Sequence, residues 1–135
     1  MKSQRAELVA DTAIALLAER GMRGLTHRAV DEEAGLPPGS TSNLARTRLA
    51  LLELTLERLT ELEVETFTAL LDAGGAPPPE APGALDVLTE LAARTLWEQL
   101  TVGRRRTIAR YELALEATRR PELREVYDRA GGRFR

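Results

Sequence analysis

Apolar residues recur along this chain at three- and four-residue spacing, the mark of helices that bury one side. Val9, Ala13, Leu16 and Leu17 begin the pattern, and Gly21 supplies a stop. Thr26 is a suitable N-cap for a short second helix, ended by Gly35, in which Ala29, Val30 and Ala34 share a face. Pro37-Pro38 then opens a short third helix, because proline fits a first turn, where its missing N–H costs nothing. Thr47 caps a fourth helix predicted over 48–72. Its Leu52, Leu56, Leu59, Leu62, Phe67 and Leu70 keep one stripe over roughly 35–40 Å at 1.5 Å per residue.

Residues 74–83, GGAPPPEAPG, are a loop by composition. A fifth helix over 84–101 is expected to set Leu85, Leu88, Leu91, Ala92, Leu96 and Leu100 on one side, with Gly103 as its breaker. The sixth carries Ile108, Tyr111, Leu115 and Thr118. Pro121 starts a seventh with Leu123, Val126, Tyr127, Ala130 and Phe134, a stripe predicted to have too few partners to cover it. Strand-like alternation and internal repeats are both missing, so the fold class is all-α.

Composition narrows the chemistry. At 135 residues the chain makes one compact domain, or two small ones sharing a core. With no cysteine and a single histidine, His27, it offers no thiolate metal site, no disulfide and no nucleophile–base–orienter set. An enzyme is therefore not expected, nor is a cofactor. No stretch approaches the roughly 18 apolar residues of a membrane span, and the N-terminus lacks a signal-type apolar core. A soluble cytoplasmic protein without a membrane partner is the expectation.

The net charge of −2 conceals segregation. Residues 1–50 carry seven Lys/Arg and six Asp/Glu, residues 51–103 two and ten, and residues 104–135 ten and five. Such a balance argues against indiscriminate polyanion binding yet allows a focused contact. Helix two, the tight Gly35-Leu36-Pro37 turn and helix three form a helix-turn-helix pattern, in which the second helix enters the major groove. Ser40, Thr41, Ser42 and Asn43 are compact hydrogen-bonding residues, and an Asn pairs bidentately with adenine. Arg28, Arg46 and Arg48 bracket that helix where phosphates would lie. Helix N-termini at Thr26, Pro38 and Thr47 add oriented N–H groups, and Gly39 permits close backbone approach. The plainer alternative is an Ala-rich bundle with a Gly-Pro turn and a solvated arginine face, acting as a helical protein-interaction module.

Three runs carry a resemblance. THRAVDEEAGLPPGSTSN at 26–43, ALLAERGMRGLT at 15–26 and RTRLALL at 46–52 resemble the DNA-binding domain of tetracycline-repressor-like (TetR) transcriptional regulators. More weakly, residues 106–124, with ARYEL at 109–113 and PELR at 121–124, look like ligand-domain helices of one branch. The resemblance implies a homodimeric repressor that binds a palindromic operator in double-stranded DNA and leaves it when a small-molecule effector enters the C-terminal domain. It implies a helix-turn-helix DNA-binding domain at 1–46, joined by a long helix to an effector-binding and dimerisation domain at 47–135. That second domain would be truncated, since two further helices forming the dimer interface are expected.

Carried over by position, Ser40, Thr41, Ser42 and Asn43 lie on the recognition helix. Thr26 and Arg28 match phosphate contacts, and Arg48 the basic residue opening helix four. Pro38, Gly39, Leu44 and Arg46 complete the expected DNA face. His27 belongs either to the phosphate side or simply to solvent. The chain departs from the family at Leu44 and Ala45, where an aromatic pair is usual; Leu49 or Leu44 is expected to fill the space left by Ala45. Phe67, Trp97 and Tyr111 line an effector cavity or are plain core. Arg104, Arg105 and Arg106 are solvated, or pair with helix four or helix one.

Overall fold

The computed structural model describes residues 3–75 and 77–131. In chain order the helices are α1 (Gln4–Gly24), α2 (His27–Ala34), α3 (Ser40–Leu44), α4 (Arg48–Gly74), α5 (Ala84–Leu100), α6 (Arg104–Ala117) and α7 (Pro121–Gly131). Among the described residues none forms a strand, and no helix is long and apolar enough to cross a membrane.

Local chemistry sets the helix ends. The side chains of Ser3, Thr26 and Thr47 accept from the backbone N–H three residues on, at Ala6, Ala29 and Ala50, and so cap α1, α2 and α4. Gly21 sits at φ 68° and ψ −172°, which breaks α1 just before its last turn. Pro37 and Pro38 lie in the turn ahead of α3 rather than inside it; α3 begins only at Ser40, after Gly39 at φ 89°.

One continuous core runs through the bundle. Val9, Ala13, Leu16 and Leu17 of α1 meet Leu25 and Val30, then Leu51, Leu52, Leu56 and Leu59 of α4. It continues into Ala109, Leu113 and Ala117 of α6 and Leu123 and Val126 of α7. The α1–α6 pair makes the most extensive helix–helix contact among the described residues. On the buried face of α6, Ala109 and Ala117 lie one turn either side of Leu113, so two of its three buried side chains are small.

Three expectations are corrected here. The α7 stripe is covered: Leu123 and Val126 are buried and Tyr127 half-buried, because α4 turns toward α7 as well as α5. Phe134, assigned to the same stripe, lies outside the described residues. On α6 the inward face is Ala109, Leu113 and Ala117, leaving Tyr111 and Leu115 outside. On α5 the inward face is Ala84, Leu91, Thr95 and Glu98, and the expected stripe of Leu85, Leu88, Leu96 and Leu100 is exposed.

Candidate nucleic-acid interface and ligand cavity

The α2–α3 pair is held by a buried carboxylate. Asp31 accepts from Gly39 N (2.9 Å), Thr41 N (2.8 Å) and Thr41 Oγ1 (2.6 Å). No side chain within α3 caps its N-terminus, so Asp31 on the neighbouring helix supplies the missing acceptor. Gly35, left-handed at φ 65°, ends α2 and turns the chain toward α3. Burial alone would raise the Asp31 pKa. The Thr41 hydroxyl and N–H, the Gly39 N–H and the nearby His27 outweigh it and hold the carboxyl below its ordinary value. Sequence reasoning passes over Asp31, whose only signal is an acid beside Val30 followed ten residues later by Thr41.

Four expected DNA-contacting side chains face elsewhere. Thr41 is wholly buried with its hydroxyl on Asp31, and the Ser40 hydroxyl donates to Pro37 O at 2.6 Å from a buried position. His27 is half-buried with Nε2 2.6 Å from Ala45 O; a carbonyl only accepts, so Nε2 carries the hydrogen and ties the start of α2 to the end of α3. Arg48 donates to Leu25 O and Met22 O, each at 2.6 Å, and its guanidinium closes the C-terminal end of α1. These contacts make Thr41, Ser40, His27 and Arg48 parts of the scaffold.

The remaining candidates share the outside. Thr26, Arg28, Pro38, Gly39, Ser42, Asn43, Leu44 and Arg46 are all exposed. Arg28 pairs with Glu32 one turn along α2 at 2.7 Å, an exposed pair that a phosphate can replace at little cost. Ala45 is buried, and Leu49 is half-buried against the same core while Leu44 stays outside.

A second feature lies among α4, α5 and the start of α6. A cavity of about 350 Å³ is lined by Glu63, Thr66 and Phe67 of α4, Glu98 and Gln99 of α5, and Arg106 of α6, with other residues. Arg110 pairs with Glu63 in a two-pronged contact (Nε to Oε1, 2.9 Å), donates to Thr60 Oγ1 at 3.2 Å and lies 5.5 Å from the Tyr127 ring centre. Glu63 is thereby neutralised, whereas no cation stands within 4 Å of the Glu98 carboxylate among the described residues. Arg106 donates to Thr66 Oγ1 at 3.2 Å, and its neighbour Arg105 reaches Glu19 of α1 at 3.0 Å. Of the arginine triplet, two members thus contact α4 and α1. Phe67 lines this cavity, but Trp97 and Tyr111 do not; they are 72% and 67% exposed, because α5 and α6 turn those faces away from the bundle.

The fold has counterparts among known proteins. Residues 83–135 match the family described as tetracyclin repressor-like, C-terminal domain. Comparison with curated proteins returns no match. A structure of the multidrug binding protein EbrR complexed with imidazole is 32% identical at a TM-score of 0.70, over 96% of this chain and 68% of that one. A TetR-family member from Streptomyces coelicolor is 35% identical at a TM-score of 0.71, over 92% of this chain and 67% of that one. EbrR complexed with ethidium is 33% identical at a TM-score of 0.72, over 98% of this chain and 73% of that one. With its helix-turn-helix ahead of a long α4 and a helical domain beyond, the chain belongs to the TetR family of transcriptional regulators.

Proposed function

We propose that this regulator is a repressor, not an enzyme. It binds a palindromic operator in double-stranded DNA as a homodimer in the cytoplasm, and a small molecule releases it. Residues 1–46 read DNA and residues 47–135 hold the effector and contribute to dimerisation. The carrying observation is the short α3, fixed by Asp31 of α2, that presents Ser42 and Asn43 outward, with Arg28 and Arg46 also exposed. Side chains that reach base edges specify, and arginines on phosphates position.

The cavity is the effector site in this reading. Its size falls within the roughly 300–1,000 Å³ of small-molecule pockets. The Phe67 ring and the Glu98 carboxylate support an aromatic cation as effector. EbrR structures that resemble this chain hold ethidium and malachite green, dyes of that chemistry, which supports the same class. Release would follow from movement of α6 and α4, both of which line the cavity and pack on α1.

The test is fluorescence anisotropy of the purified protein with duplexes enriched from a random pool. Affinity should fall steeply as salt rises, by about 0.9 log unit per phosphate contact per log unit of salt. Asn43→Ala should change sequence preference by about 1–3 kcal/mol at one base pair. Arg46→Ala should weaken all duplexes alike and reduce the salt slope by about one. No enrichment, with binding insensitive to salt, would favour a helical protein-interaction module instead.

A further inference from the structure

The outward arc of α3 carries one apolar side chain. Successive helical residues turn by about 100°. With Thr41 and Ala45 turned into the core, Asn43 stands at the middle of the exposed arc, flanked by Ser42 and Leu44. Leu44 is 41% exposed, while Leu49 nearby is drawn against the core, so Leu44 is not needed to fill the space beside Ala45. Its side chain has no donor for a phosphate oxygen. Against a duplex it gains free energy only by covering something apolar, and the apolar group displayed in the major groove is the C5-methyl of thymine.

We propose that Leu44 is a sequence-reading residue that packs on a thymine methyl in each half-site, beside the base contacted by Asn43. The inference rests on α3 entering the major groove, as proposed above. The contact is neutral, so it contributes to base preference without adding to the salt dependence.

The experiment replaces each thymine of an enriched duplex, one at a time, by uracil, which deletes a single methyl group. At one thymine per half-site, uracil should weaken binding about fourfold, the affinity equivalent of one buried methylene. In Leu44→Ala the same replacement should have no further effect, because both changes remove one contact. Leu44→Met should keep the methyl dependence. The far-UV circular dichroism of Leu44→Ala should match that of the parent, since the side chain is not in the core. Enriched duplexes in which no thymine is sensitive, or a sensitivity that persists in Leu44→Ala, would overturn the assignment and leave α3 as a DNA-reading helix. Failure to enrich any duplex would overturn both.

Discussion

Asp31 and Arg48 hold one motif with opposite charges and by the same device, a side chain satisfying backbone groups that a helix end leaves open. The Asp31 carboxyl has a folded pKa below its ordinary value of about 3.9. Its contribution to stability is therefore complete above that value and is lost as pH falls through the lower folded one. Asp31→Asn should cost about 2–3 kcal/mol at neutral pH. It should also lose less stability than the parent between neutral pH and about pH 3, as read by thermal unfolding; equal acid sensitivity would show that Asp31 is not the titrating group. Arg48→Ala leaves two carbonyls without their donor and should lower stability by about 1–3 kcal/mol in urea unfolding. Arg48→Lys should recover only part of it, because one ammonium cannot reproduce a planar fork. An Arg48→Ala variant as stable as the parent, but with a weaker salt slope on DNA, would return Arg48 to the phosphate contacts.

At the scale of elements, α6 separates residues that look alike in the sequence. Ala109→Leu places extra volume in the filled core beneath α6 and should cost about 1–3 kcal/mol. Tyr111→Ala and Leu115→Ala, both on the exposed face, should stay within about 0.5 kcal/mol in the same urea series. Gly103→Ala is informative in another way: a Cβ there would meet Glu98 Oε2 at 2.9 Å, the far end of a flexible side chain. It should shift the carboxylate and change dye affinity while leaving stability nearly unaltered. Sequence made the capped ends legible, since Thr26, Gly35 and Thr47 act on backbone groups within three or four residues. The inward faces of α5 and α6 were not legible. Large apolar residues define one stripe, whereas the buried face of α6 is Ala109, Leu113 and Ala117, two of them too small to signal burial in the sequence. The contacts of Asp31 and Arg48 are illegible for a related reason: their partners lie eight to ten and more than twenty residues away, beyond any local pattern.

Over the whole molecule, α6 joins the cavity to the helix-turn-helix end, with Arg106 on the cavity wall and Arg105 on Glu19 of α1. Trp97, the one tryptophan of the sequence, stands 72% exposed on α5. Its emission should resemble that of free tryptophan and be strongly quenched by iodide; a blue shift as protein concentration rises would mark association through α5. That helix follows a proline-rich loop and turns only Ala84, Leu91, Thr95 and Glu98 inward, whereas α1 buries seven apolar side chains and α4 buries Leu51, Leu52, Leu56 and Leu59. With so few side chains buried, α5 should take up deuterium at its amides well before α1 and α4. An effector that needs α5 as one wall of its cavity binds only the docked fraction, and its apparent affinity falls in proportion to the share that is detached. Saturating dye should then slow deuterium uptake in α5 first, making a sparsely anchored helix the place where occupancy is recorded.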